Sequence, residues 1–195
     1  RGFTNNGYQL KIMSDPVFVS SYPVVRAPTT STAAFFVQNT SVTIQGISVL
    51  GANSVPYGLY VSSAYVTISS VNIDGSDKIY TAGMSISSYS AIFYSSITVQ
   101  QADGIYSSAA GSLISYSTVA TLTLSSGRGI YFLGATSNTI THGYFYARNW
   151  HGIGFYFGSN YNTVSYSTGS SDGTLNGGLI IRNSSYNVVT QSYLA

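Results

Sequence analysis

The sequence predicts an all-β solenoid, a single-stranded parallel β-helix of about seven coils of ~24 residues. Six glycines, Gly58, Gly83, Gly104, Gly129, Gly154 and Gly178, recur at steps of 25, 21, 25, 25 and 24 residues, and each opens a short alternating strand. An apolar anchor keeps the same period in phrases such as SVTI, YVTI, YSAI, SNTI and YNTV: Ile44, Ile68, Ile92, Ile114, Ile140, Val164 and Val189, at steps of 24, 24, 22, 26, 24 and 25. No stretch holds helical periodicity with helix formers, and glutamate is absent.

Each element follows from this frame. Counting back from Ile44 puts Ala34 where the first glycine belongs, so AFFVQ opens the first recognisable coil. After the anchor comes a third apolar pair, such as Ile47/Val49, Val71/Ile73 and Ile97/Val99, which gives three short strands per coil. Period-two alternation sends one face of each strand inward. The residues expected inward after the glycine are Leu59/Val61, Met84/Ile86, Ile105/Ser107, Ile130/Phe132, Phe155/Phe157 and Leu179/Ile181. Residues 1–33 read as an irregular N-terminal coil or cap, punctuated by the turn signal Asn5-Asn6-Gly7 and by Pro16, Pro23 and Pro28; residues 34–195 read as the β-helix. QSYLA stops in mid-coil, so the C-terminal end is expected to be incomplete or covered by a partner.

Composition narrows the function classes. Charged residues are 6% of the chain, so hydroxyls and amides carry most of the solvation and folding is expected to resist acid. With no cysteine there is no disulfide framework and no thiolate metal site. A net charge of +2 without a basic cluster argues against nucleic acid, and no apolar run reaches transmembrane length. The chain begins at Arg1 with no signal peptide, as a mature product or an excerpt would.

The stretch from Ser137 to Val189, with its Asn138-Thr139-Ile140 and Asn162-Thr163-Val164 phrases, G-I/L strands and S-N/S-Y-N linkers, resembles the NosD-type β-helix repeats of the pectin-lyase-like superfamily. The resemblance is clearest over residues 129–195. It implies a right-handed helix and says little about activity, because such repeats serve enzymes, spikes, adhesins and surface-layer proteins alike.

Function in a solenoid sits in columns of equivalent residues. The outward position two after each glycine reads Tyr60, Ser85, Tyr106, Tyr131, Tyr156 and Ile180, with Phe36 before them. This aromatic row is either packing on a parallel sheet or a binding stripe for sugar rings or a partner. Two residues after the anchor come Tyr94, Tyr116, His142 and Tyr166, expected in turns with hydrogen bonds along the stack. Asn138, Asn162 and Asn187 form a further column, expected to be a ladder that satisfies buried backbone. Asp103 with Arg128, and Arg148 with Asp172, fall in adjacent coils and are expected to pair, weakly if exposed. Asp74-Gly75-Ser76-Asp77 reads as a turn able to hold a cation weakly. His142, Asn149, Trp150 and His151 are the densest chemical patch, and Trp150 and His151 are candidate sugar contacts. Asn39 and Asn183 head sequons for N-glycosylation.

β-Helix glycosidases need two carboxylates close together, and the lyases of this fold need an acidic calcium cluster with a base; neither is evident in the columns. The reading is a non-catalytic extracellular module, structural or adhesive, of a cell-surface fibre, surface layer or viral spike. Its candidate contacts with a ligand or partner are Tyr60, Tyr106, Tyr131, Tyr156, Trp150 and His151. No metal or other cofactor is expected; the expected partners are a further copy or parent chain at the open C-terminal coil, and polysaccharide. The alternatives are a polysaccharide lyase or glycoside hydrolase of the pectin-lyase-like class, or a fragment of one, and a soluble carbohydrate-binding module.

Overall fold

A computed structural model of the chain describes residues 8–15, 21–122, 127–174 and 176–195. The sequence features at Asn5-Asn6-Gly7 and Pro16 lie outside them. The described residues form three parallel sheets, two of eight strands and one of seven, and no helix. The strands repeat in strict rotation, so each pairs only with its equivalents one coil below and one coil above. This is the β-solenoid the double period predicts.

The anchor sheet runs from Leu10–Met13 to Val188–Thr190. Its central column is Ile12, Ile44, Ile68, Ile92, Ile114, Ile140, Val164 and Val189, each directly paired with the next. The third sheet runs from Val24–Arg26 to Tyr193–Leu194. The glycine sheet runs from Ala33–Val37 to Leu179–Arg182, and Ala34 takes the glycine position in its first strand. The stretch before residue 33 thus extends two of the sheets by one strand each.

One register differs from the sequence reading. Ile130 pairs with Ile153, Tyr131 with Gly154 and Phe132 with Phe155, so the repeat glycine of this coil is Gly152 and not Gly154. A shift of two residues preserves inward and outward parity, so alternation alone cannot detect it. Ile153 and Phe155 therefore point inward, whereas Phe157 lies beyond the strand, 55% exposed and with φ +46°. Ile181 pairs with Phe155 but belongs to the last strand of its sheet and stays exposed.

The core is a column of stacked side chains, in which Phe132 lies on Phe155 with ring centroids 5.6 Å apart. Glycine is needed where the chain turns onto the next coil: a Cβ at Gly58 would lie 2.7 Å from the carbonyl oxygen of Gly83. Polar ladders satisfy buried backbone at the corners. Oδ1 of Asn138 accepts from the Ser112 N–H at 2.8 Å, Oδ1 of Asn162 from the Asn138 N–H at 2.9 Å, and Oδ1 of Asn187 from the Asn162 N–H at 2.9 Å. Serine hydroxyls do the same elsewhere, Ser117 for the Ser95 N–H and Ser192 for the Ser167 N–H.

Two stability predictions follow from this packing. Ile140→Asp places an unpaired carboxylate at a fully buried position and should abolish folding or cost several kcal/mol, read by thermal denaturation; a Tm unchanged within a degree or two would remove Ile140 from the core. Asn162→Leu leaves the Asn138 N–H without its acceptor and the Ala135 carbonyl without its donor, and should cost about 2 kcal/mol or more by urea titration.

Candidate functional site

The side chains with most chemistry gather where the third sheet hands the chain to the glycine sheet. Two of the connections here, from Thr121 to Ile130 and from Ser171 to Leu179, are longer than the other connections of their coils, and the one from Ala147 to Ile153 between them carries Trp150 and His151. Loops that vary on one edge of a solenoid are where function is usually grafted.

Arg128 is the centre of this corner. It sits one residue before a repeat glycine, which places its side chain over the outer face of the glycine sheet. Its Nη1 donates to both carboxylate oxygens of Asp103, at 3.2 and 3.3 Å, and its backbone N–H donates to Oδ1 at 2.8 Å. The expected pair exists but is enclosed, with both side chains less than a fifth exposed. Burial raises the Asp103 carboxyl above the usual carboxylate range, and the Arg128 guanidinium only partly offsets this. The guanidinium lies 3.9 Å from the Tyr131 ring centroid, 5.3 Å from Tyr156 and 5.8 Å from Trp150.

The other residues fill in around it. Tyr106 leans on Tyr131 at 5.6 Å, and Tyr156 meets Tyr131 edge-on at 5.3 Å. Trp150 and His151 meet edge to face at 5.7 Å. His151 is buried, accepts at Nδ1 from the Gly177 N–H at 3.3 Å, and has its pKa lowered chiefly by that burial. Arg128 Nε, Trp150 Nε1 and Tyr156 Oη are enclosed without a hydrogen-bond partner. A cation with its own Nε and two neighbouring polar atoms all unsatisfied is an unusual concentration for a native interior.

The sequence-expected row is thus partly assembled and partly not. Tyr106 and Tyr131 pair across adjacent coils. Tyr156 does not belong to their column: it pairs with Leu133, folds back over Gly154 and is only 5% exposed. Tyr60 stacks instead on Phe36 at 5.0 Å and Tyr57 at 4.7 Å, with Ser85 interrupting the row above it. Asp172 is not bonded to Arg148; it accepts from the Tyr146 hydroxyl at 2.5 Å, which pushes that phenol up to about 12. His142 stands at the opposite end of the Tyr144–Ala147 strand from Trp150 and His151, so the expected four-residue patch is divided. The Asp74–Asp77 turn is present, with Oδ1 of Asp74 accepting from the Ser76 N–H, but Asp77 is paired with Lys78 at 3.3 Å. Among the described residues no three His, Asp, Glu or Cys side chains come together as a metal site. Of the sequon asparagines, Asn183 is exposed and Asn39 half-buried.

The corners of the anchor sheet carry a second aromatic feature. Tyr94, Tyr116, His142 and Tyr166 stack in turn at 5.2, 4.8 and 4.9 Å, so the column is held by ring faces and not by the expected hydrogen bonds along it. All four take left-handed φ between 48° and 52°. The opposite corner, three residues before each anchor, repeats the device with Tyr65 on Tyr89 and Tyr161 on Tyr186, at 5.1 and 5.0 Å. Sequence reasoning missed that second column, although its tyrosine opens the phrases YVTI, YSAI, YNTV and YNVV.

Three-sheet parallel coils closed by polar ladders define a β-helix protein. A family model described as a right handed beta helix region matches residues 82–195, and the chain belongs to that family. No match was found among curated proteins or among solved structures.

The shifts of His151 and Asp103 act in opposite directions. His151 has a folded pKa below 6.5, so the stability of its neutral form is complete above 6.5 and is lost as pH falls through the folded value. Asp103 has a raised folded pKa, so its contribution becomes more favourable as pH falls through that value towards 3.8. His151→Gln should therefore flatten the fall in Tm just below pH 6.5, measured by thermal melts across that range. An unaltered slope would place the responsible proton elsewhere.

Proposed function

We propose that the chain is a non-catalytic extracellular β-helix module, structural or adhesive, that contacts neutral glycans at the Arg128 corner. The observation that carries the reading is the group of half-exposed Tyr106, Tyr131 and Trp150 rings gathered at the Arg128 guanidinium. A sugar ring lays its C–H face on such rings. Asp103 neutralises Arg128, so the corner recognises uncharged sugars in preference to uronates. Tyr106 continues the half-exposed aromatic face by one coil, and Tyr60 belongs to a separate ring stack beyond Ser85. Four of the groups usable for acid–base chemistry are engaged in coil-to-coil contacts: Asp103 with Arg128, Asp172 with Tyr146, His142 between two tyrosines and His151 with Gly177. A surface location agrees with the low charge and with the sequons at Asn39 and Asn183.

One observation favours a second reading, a polysaccharide-cleaving enzyme of the pectin-lyase-like class. Asp103, whose carboxyl is raised above the usual carboxylate range by burial, lies beside Arg128 in the same corner as His151.

A panel of soluble and insoluble neutral polysaccharides separates the readings. The module should retain at least one of them without releasing soluble sugar or unsaturated product. Tyr131→Ser combined with Trp150→Ser should weaken retention at least tenfold in a chain that still folds, because Ser85 already occupies the Tyr131 column. Product release that Asp103→Asn abolishes would establish the enzyme. Retention unchanged in the folded double variant would reduce the rings to sheet packing.

A further inference from the structure

The anchor sheet presents a different kind of surface from the other two. Its outward positions from Thr43 to Thr190 are threonine, serine, glutamine, alanine, phenylalanine, leucine and valine, with no charged side chain. One charge, Lys11, stands outward on the first strand, at the rim of this face; other charges lie off it, among them Arg26 and Asp74 on the third sheet, Asp103 and Arg182 on the glycine sheet, and Arg128 and Arg148 in the connections between them. Both long edges of the uncharged face are lined by the exposed corner ladders. Depletion of charge with enrichment of tyrosine is the composition that distinguishes the core of a protein–protein interface from ordinary surface.

Apolar side chains interrupt the hydroxyl rows at one place. Ala91, Phe93 and Leu113 are neighbours on the fourth and fifth of the eight strands, the geometric middle of the sheet. We propose that this face is the self-association surface of the protein, on which a second copy packs face to face about a two-fold axis lying in the interface. Such an axis through the middle of the sheet lays the apolar patch on itself and the hydroxyl rows on their counterparts, the self-complementarity that an isologous contact demands. Eight strands at ~4.8 Å make a face ~34 Å long, and with the corner rings ~20 Å wide, or ~700 Å² per copy. Two copies bury about 1,400 Å², within the range of stable interfaces.

Two features favour a second copy over a polysaccharide here. The corner rings spend their faces on each other, at centroid separations of 4.8–5.2 Å, and offer edges outward, so the stacking a sugar ring uses is already taken. The partner that matches a coil repeat over the whole length of the face is another copy with the same repeat. The rings are also held in place before association, which lowers the ordering cost. This inference is independent of the glycan reading, since the faces differ and the measurement needs no sugar.

The test is sedimentation equilibrium of the purified chain over rising concentration. The expected result is a concentration-dependent dimer of the 20.7 kDa chain. Phe93→Lys places like charges against each other at the centre of the face and should weaken dimerisation at least tenfold. Thr67→Lys and Thr139→Lys, at outward hydroxyl positions flanking the patch, should do the same if Phe93→Lys fails to fold. Thr98→Lys, outward on the third sheet, should leave the dimer intact. A chain that stays monomeric at hundreds of micromolar overturns the proposal. So does a dimer that the three anchor-sheet variants keep, or that Thr98→Lys alone disrupts. Capture of a neutral polysaccharide that Phe93→Lys abolishes in a monomeric chain would assign the face to glycan instead.

Discussion

In-register stacking of one coil on the next, at the ~4.8 Å spacing of paired strands, is the constraint on which the rest of this structure depends. Every residue lies on its equivalent from the neighbouring coil, so any group that suits one coil must also suit contact with its own kind. Isoleucine on isoleucine fills the interior, and asparagine on asparagine carries buried N–H groups at a corner. Like charges cannot be stacked in this way. The low charge content and the pairing of Asp103 with Arg128 one coil above are two consequences of the same rule.

The corners show how the rule offsets local strain. Seven successive coils place a left-handed residue three before the anchor and another two after it, and most of these residues are not glycine. A tyrosine there costs roughly 1–2 kcal/mol of backbone strain. A stacked neighbour returns about 0.5–1.5 kcal/mol. The ladder of rings makes the turn tolerable, and the turn holds the rings in line. These tyrosines, though exposed, are thereby structural in their faces.

The Arg128 corner departs from the rule and gains chemistry by doing so. The coils around it are of unequal length, and their connections bring Arg128, Trp150 and His151 together in place of a repeated ladder. Enclosure raises the Asp103 carboxyl and lowers the His151 imidazole, and it strands polar atoms that a regular coil would satisfy. Regular coils supply rigidity, and the irregular corner gathers the titratable and aromatic side chains.

The fold was legible in the sequence because period and alternation are local properties. Two anchors sharing one period require coils of equal composition, and period two within each strand decides which side chains are buried. The asparagine ladder and the Asp103–Arg128 pair were legible for the same reason, since adjacent coils bring equivalent positions together. What sequence spacing left undecided was anything that depends on the path of a corner. Gly152 and Gly154 satisfy alternation equally well, and only the pairing of Ile153 with Ile130 showed that Tyr156 lies outside the aromatic row. Asp172 was free to choose between Arg148 and Tyr146 until the connection after Ser171 set its direction. Burial of the Arg128 cluster, and its separation from His142 by a whole strand, are likewise properties of how long loops fold over a sheet edge, for which a repeat offers no template.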